Sequence, residues 1–280
     1  DNSFDFSFSI DRLTVLGDDS GRFEKTINNN NFGFILRDSI APFPYRRQYH
    51  MVDGSLFQYT DSDKLQALRY DFNPNNIRPS KENEHRRAVV EILRTMKYPK
   101  LSRVDIAFDF KGVDLSDYNF IDEGVRKKNM WFDGTNKLET LYIGAPNAHL
   151  RIRVYDKAKE RATEGEQVEG DWWRVEAQIR GEWINHLLLG ISPFSGLQIK
   201  QANWESLENV REQAMCKFFL DFPEKMAEVD KNTRSKYKKI LASLDANKEI
   251  DIQSLYAESK TEIRKQIDYW LDFSRRNDVM

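Results

Sequence analysis

From Ser102 to Phe110 the chain reads Ser-Arg-Val-Asp-Ile-Ala-Phe-Asp-Phe, and an apolar side chain recurs at every second position from Val104 on. That period belongs to a strand, because successive side chains of an extended backbone leave on opposite faces. Val104, Ile106, Phe108 and Phe110 point one way. Arg103, Asp105, Ala107 and Asp109 point the other. Two carboxylates and a guanidinium on one strand face exceed what a solvated surface requires. An exposed face with an ion pair stays open as the alternative.

Two later segments repeat the pattern. In His149-Leu150-Arg151-Ile152-Arg153-Val154-Tyr155-Asp156-Lys157, Leu150, Ile152 and Val154 form the apolar face. His149, Arg151, Arg153, Tyr155 and Lys157 share the other. A tyrosine among cations suits attack on phosphate, since the cations stabilise transition-state charge and favour the phenolate. A cross-strand aromatic between basic surface residues is the open alternative. In Asp171-Trp172-Trp173-Arg174-Val175-Glu176-Ala177-Gln178-Ile179-Arg180, Arg174, Glu176, Gln178 and Arg180 lie opposite Trp173, Val175, Ala177 and Ile179. If the three strands share a sheet, their polar faces converge on acids, a tyrosine and cations. Asp105, Asp109 and Glu176 would then offer hard oxygen ligands to Mg²⁺ or Mn²⁺. Such an ion would bind phosphate oxygens and polarise the scissile bond.

The rest of the chain builds an α+β fold: a curved, largely antiparallel central sheet with packed helices and a helical C-terminal region. Phe4, Phe6, Phe8 and Ile10 alternate as a strand, Gly17–Gly21 reads as a turn, and Asn28–Asn31 as a loop. Residues 37–50, with Pro42 and Pro44, read as irregular or edge strand. Leu68–Phe72 alternates and ends at the turn Asn73-Pro74-Asn75-Asn76. Residues 81–97 are expected to be helical, with Ser80 as N-cap and Pro99 helping to stop the helix. Asp114–Val125 is expected as a short helix. Thr140–Ile143 and His149–Tyr155 should form a hairpin. After residue 200 the period changes, and 203–222, 232–244 and 251–275 read as helices, the last with an apolar stripe of Leu255, Ile263, Ile267, Trp270 and Leu271. The loop Gly190–Gly196 separates an expected catalytic domain, 1–195, from a helical region, 196–280.

Composition narrows the classes. At 280 residues, 40% hydrophobic and 31% charged, the chain can bury a substantial core and is not a disordered tail. Forty-three Lys and Arg against forty-five Asp and Glu give a formal charge of −2, which excludes an overtly basic chromatin-type binder but not a local basic face. The single cysteine, Cys216, rules out an intramolecular disulfide and a CxxC zinc site, and fits a reducing cytoplasm. No apolar run approaches the ~20 residues of a membrane span. The first residues lack the basic and apolar regions of a signal peptide, and the missing initial Met fits a chain trimmed at its ends.

The order of motifs resembles the Rep_trans family. The signature is Arg103-Val104-Asp105-Ile106-Ala107-Phe108-Asp109, then Leu141-Tyr142-Ile143-Gly144, then Arg151-Ile152-Arg153-Val154-Tyr155-Asp156-Lys157, then Trp173-Arg174-Val175-Glu176. Upstream, Arg69-Tyr70-Asp71-Phe72-Asn73-Pro74 also looks like it, and the likeness spans about residues 4 to 190. That family holds rolling-circle replication initiators of Gram-positive plasmids and related relaxases of conjugative elements. The resemblance implies a DNA strand transferase that nicks the double-strand origin. The tyrosine matching Tyr155 would join the 5′ phosphate and leave a 3′ hydroxyl. Asp105 and Glu176, with Asp109, would ligate the divalent cation such initiators need. Arg153, Lys157 and Arg174 would contact the phosphate or transition state.

Family initiators act as homodimers on an origin that can extrude a hairpin, and they recruit a helicase. Their C-terminal region helps select the origin, which here means the helices after residue 200. One departure stands out: the turn Gly144-Ala145-Pro146-Asn147-Ala148-His149 replaces a more basic Gly-Ser-Arg-Lys-like turn. A relaxase of a conjugative element and a non-cutting origin-binding initiator are the alternatives.

Other residues carry weaker signals. His50, His85, His149 and His186 form no His-hydrophobic-His pair, which argues against the other large class of nicking enzymes. His149 lies six residues from Tyr155, roughly 20 Å at about 3.3 Å per residue, so direct contact is not expected. His186 and Cys216 read as packed. No GxxxxGKS loop appears, which argues against an intrinsic ATPase. Arg151 and Arg180 share the polar strand faces, and Lys236, Lys238 and Lys239 lie on a helix. These five are the candidate DNA contacts, with a solvated basic turn as the alternative for the lysines. Arg46-Arg47-Gln48-Tyr49-His50 combines cations with aromatics that suit stacking on bases. The near-neutral total charge is then the sum of a basic active face and an acidic remainder.

Overall fold

The structure is a computed structural model that describes residues 4–28, 35–51, 54–61, 66–77, 84–124 and 126–275. In chain order its first elements are β1 (Asp5–Asp19), α1 (Phe23–Asn28), β2 (Ile35–Ile40), β3 (Arg47–Met51), β4 (Leu56–Tyr59), β5 (Leu68–Phe72), α2 (Glu84–Leu93) and β6 (Met96–Lys111). Then come β7 (Asn119–Asp122), β8 (Lys128–Phe132), β9 (Leu138–Ile143), β10 (Leu150–Asp156), α3 (Lys157–Thr163), β11 (Trp172–Arg180) and α4 (Glu182–Leu188). The last are β12 (Leu197–Ala202), α5 (Val210–Asp221), α6 (Lys231–Ser243), β13 (Ala246–Ile250) and α7 (Ile252–Arg275).

Two compact units form, each from discontinuous chain. One comprises Asp1–Phe8, Phe108–Ala177 and Gly190–Ser259; the other comprises Ser9–Ala107, Gln178–Leu189 and Lys260–Met280. Each draws residues from both sides of position 195. In the second unit the sheet order is β2-β3-β4-β5-β1-β6, with β2–β3, β3–β4, β4–β5 and β5–β1 paired antiparallel. Its core is aromatic: Phe23 stacks on Tyr59 with ring centroids 4.9 Å apart, and Phe57, Tyr70 and Phe72 are buried. In the first unit the order is β6-β11-β10-β9-β8, and a separate small sheet runs β13-β12-β7. Against that small sheet the helices keep their own core of Cys216, Phe219, Tyr237, Leu241 and Leu244.

Local chemistry sets the ends of these elements. Asp156 caps α3 by accepting from Lys159 N at 2.9 Å, Asn209 caps α5, and Asp230 caps α6. Asp251 accepts from the Ser254 amide at the start of α7. The β9–β10 hairpin forms as expected. Its Gly144 has φ of 104°, and a Cβ there would meet Leu150 O at 2.9 Å, so the close turn requires glycine.

Several expectations are corrected. Asp114–Val125 is not a helix. Asp114 caps only a 3-10 turn over Leu115–Asp117, and β7 follows, paired antiparallel with β12. Residues 203–222 are split into a 3-10 turn at Trp204–Ser206 and α5, and β12 and β13 were not expected at all. Helix α2 stops at Leu93, and Pro99 lies inside β6 rather than at a helix end. Gly17 belongs to β1: a Cβ there would come within 2.6 Å of Met96 Cβ, so glycine serves close strand approach and not a turn. The Pro42–Pro44 stretch separates two ordered strands, β2 and β3. The Ser80 cap and Asn29–Asn31 lie outside the described residues. On α7, Ile263, Ile267, Trp270 and Leu271 are buried, while Leu255 is only half-buried.

Candidate active site around Tyr155

Strand β10 places Tyr155 by packing its apolar face: Ile152 and Val154 are fully buried. Its register on β9 sets Arg153 opposite Tyr142 and Tyr155 opposite Thr140. Directly opposed residues of an antiparallel pair share a face. Tyr142, Arg151, Arg153 and Tyr155 therefore stand on the same side of the sheet. The Arg153 guanidinium lies 3.7 Å from the Tyr155 ring centroid, and Arg151 lies 3.8 Å from that of Tyr142. Both are cation–π stacks. The Nε atoms of Arg151 and Arg153 are buried and find no hydrogen-bond partner among the described residues.

Helix α3 starts directly after the tyrosine and brings Lys157 back over the ring, with Nζ 5.6 Å from its centroid. Lys157 is buried and pairs with Glu160, one helical turn on. Glu160 also lies 3.6 Å from Arg153. The strand alternation that marks Tyr155 does not reach Glu160, which lies on α3. Its signal was the three-residue helical spacing from Lys157.

Asp109 is buried, and the neighbouring β11 takes up both its oxygens. It accepts from Arg174 Nε and Nη2, each at 2.7 Å, and from Trp172 Nε1 at 2.8 Å. Glu176, further along β11, is buried too. The polar faces of β6 and β11 are thus interior, which overturns the solvated-surface alternative.

Tyr155 itself is 3% exposed. Burial pushes its phenol well above the ordinary tyrosine value. Arg174 pulls it down, Glu176 and Glu160 push it further up, and Arg153 pulls it down. The expectation that the cations favour the phenolate is therefore corrected: desolvation outweighs them, and the phenol is neutral at neutral pH.

Arg103, Asp105 and Arg180 belong to the second unit. There Asp105 is buried and accepts from Arg103 at 2.7 and 2.5 Å. A divalent cation needs carboxylate oxygens turned toward one point. Asp109 and Asp105 each commit both oxygens to an arginine. Among the described residues no three His, Cys, Asp or Glu side chains cluster as ligands. As placed, these acids fit arginine partners and not a metal.

Of the helix lysines, Lys236 pairs with Glu212 at 2.7 Å. Lys238 and Lys239 line a cleft of about 1130 Å³ between the β7–β9 segment and helices α5 and α6, together with Arg126, Lys127 and Lys128. His149 is exposed, His186 packs edge-on against Trp183, and Cys216 is fully buried.

No family model matches the chain. A curated replication initiation protein of Staphylococcus aureus is 28% identical over 225 residues, covering 76% of this chain and 68% of the relative. Another from the same organism is 27% identical over 279 residues, covering 94% of this chain and 84% of the relative. The chain is similar to replication initiation proteins. That likeness agrees with the resemblance carried by the motif order. A solved rolling circle replication initiator protein from Geobacillus stearothermophilus aligns with a TM-score of 0.45 and 13% identity, over 75% of this chain and 91% of that one. Among the described residues, no helix is long and apolar enough to cross a membrane.

Proposed function

We propose that this chain initiates rolling-circle replication of a plasmid by nicking one strand of the double-strand origin through Tyr155. The observation that carries the reading is the Arg153 guanidinium stacked on the Tyr155 ring, with its buried Nε unpartnered among the described residues. A cation held at the nucleophile with a spare donor is suited to a phosphate oxygen. Arg174, fixed by Asp109, supplies further positive charge near the phenol.

In the proposed step Tyr155 Oη attacks phosphorus and the bond from phosphorus to the 3′ oxygen breaks. The 5′ phosphate stays on the tyrosine, and the departing 3′ oxygen ends as a hydroxyl carrying the proton lost by the phenol. In this reading the phenol ionises before it attacks, with burial, Glu176 and Glu160 opposing that ionisation and Arg174 and Arg153 favouring it. Origin DNA, a second copy of the chain and a host helicase are the partners it implies, in the cytoplasm.

The test is a covalent adduct between the full chain and a single-stranded oligonucleotide spanning the origin of its own replicon. The adduct should form with the wild type and vanish with Tyr155→Phe; an adduct retained in that variant refutes the assignment. The burial of Tyr155 favours a second reading, an initiator that binds its origin without cutting. Binding with no adduct at any pH would select it.

A further inference from the structure

Strand β8 is the outer strand of the first unit's larger sheet, and it carries two exposed aromatics, Trp131 and Phe132, at 49% and 50%. The ladder to β9 slips between them. The register above that slip is regular. Trp131 stands opposite Thr140, and Thr140 stands opposite Tyr155. In the next row Asn129, Tyr142 and Arg153 line up in the same way. Trp131 and Tyr155 therefore share one face and one row, two strands or about 10 Å apart, with the short Thr140 between them. Trp131 packs edge-on against Tyr142, ring centroids 5.3 Å apart, and Arg151 covers Tyr142 from its own position at 3.8 Å.

We propose that Trp131 is a base-stacking platform for the single-stranded DNA whose phosphate lies at Tyr155, taking an unpaired base one or two nucleotides from the nick. The inference rests on the Tyr155 reading. An aromatic ring half-open to solvent offers the π-face that any base can cover. The adjoining cations, the half-buried Arg151 and Arg153 stacked on Tyr142 and Tyr155, supply the backbone contacts. Positive charge beside an exposed aromatic fits the phosphates of a single strand better than an apolar protein partner, which would bring no acidic groups to meet it. Thr140 keeps the row low between the two rings, so a strand can cross it.

The experiment uses the full chain and single-stranded origin oligonucleotides, intact or with an abasic site at each of the two positions on either side of the nick. Binding is read by fluorescence anisotropy and folding by thermal melting. Trp131→Ala should weaken binding about tenfold, the size of one base–aromatic stack, and Trp131→Phe should keep most of it. One abasic position should weaken the wild type by a similar factor and leave Trp131→Ala no weaker. Equal abasic losses in wild type and Trp131→Ala would overturn the proposal, whatever the variant's melting temperature. Loss of the Tyr155 adduct with this coupling intact would instead overturn the nicking reading alone.

Discussion

Asp109 and Arg174 hold each other through two parallel hydrogen bonds of 2.7 Å, and neither side chain reaches solvent appreciably. A carboxylate in such a fork is a structural anchor for the guanidinium beside the tyrosine. Breaking one side of a buried pair leaves an uncompensated charge and costs about 3–5 kcal/mol. Asp109→Asn should therefore lower the melting temperature sharply. It should leave the midpoint of a Mn²⁺ titration of nicking where it was. A shifted midpoint at unchanged stability would show that Asp109 is a ligand after all.

The pH response of Tyr155 follows from its burial. The folded phenol has its pKa raised above the unfolded value near 10, so its neutral form is the one the fold favours. This contribution to stability is fully present below the unfolded pKa and is lost as pH rises through the folded value. Adduct formation should keep climbing with pH past 10 instead of levelling there, until alkaline unfolding intervenes. Single-turnover adduct yields and far-UV melting, measured together between pH 7 and 11, check both limbs. A plateau near pH 8 would show a phenol activated in some other way.

The three charged strands were legible because a period of two is local, and their apolar sets are buried: Val104, Ile106, Phe108, Ile152, Val154, Val175 and Ile179. Tyr155 and its cations came from the same alternation and from the family motif order. What escaped was non-local. Strand β7 exists because β12, some eighty residues later, pairs with it, and no local pattern in Asp114–Val125 announces that. The pairing of Asp109 with Arg174 and Trp172 depends on which strand lies beside β6, which spacing along one strand leaves open. The sign of the Tyr155 shift escapes the sequence for a related reason: charge is visible in a sequence, and desolvation is not.

Cys216 tests the helical core independently of the site. It is fully buried with Phe219, Tyr237 and Leu241, and burial pushes its thiol up to about 11, with Glu212 adding to the rise. The thiolate is the reactive form, so both access and ionisation are denied. A thiol reagent such as iodoacetamide should leave the native chain unlabelled at pH 8 and modify it stoichiometrically in denaturant. Rapid native labelling would mean that the α5–α6 core opens readily.

Glu160 closes on Lys157 and lies 3.6 Å from Arg153. In the free protein it neutralises the cations that the nicking reading assigns to phosphate. Its negative charge also raises the Tyr155 phenol further. Glu160→Gln removes both effects while keeping the side chain's length. Oligonucleotide affinity should rise, and its dependence on salt should steepen by about one unit of log–log slope for each cation freed. Adduct formation at a fixed pH below 10 should become faster, because the phenol ionises more easily. Product release should slow as binding tightens, so a steady-state assay alone would hide the gain, and single-turnover kinetics with a salt series is the measurement that exposes it. An unchanged salt slope with unchanged rate would mean that Lys157 and Arg153 do not meet the DNA.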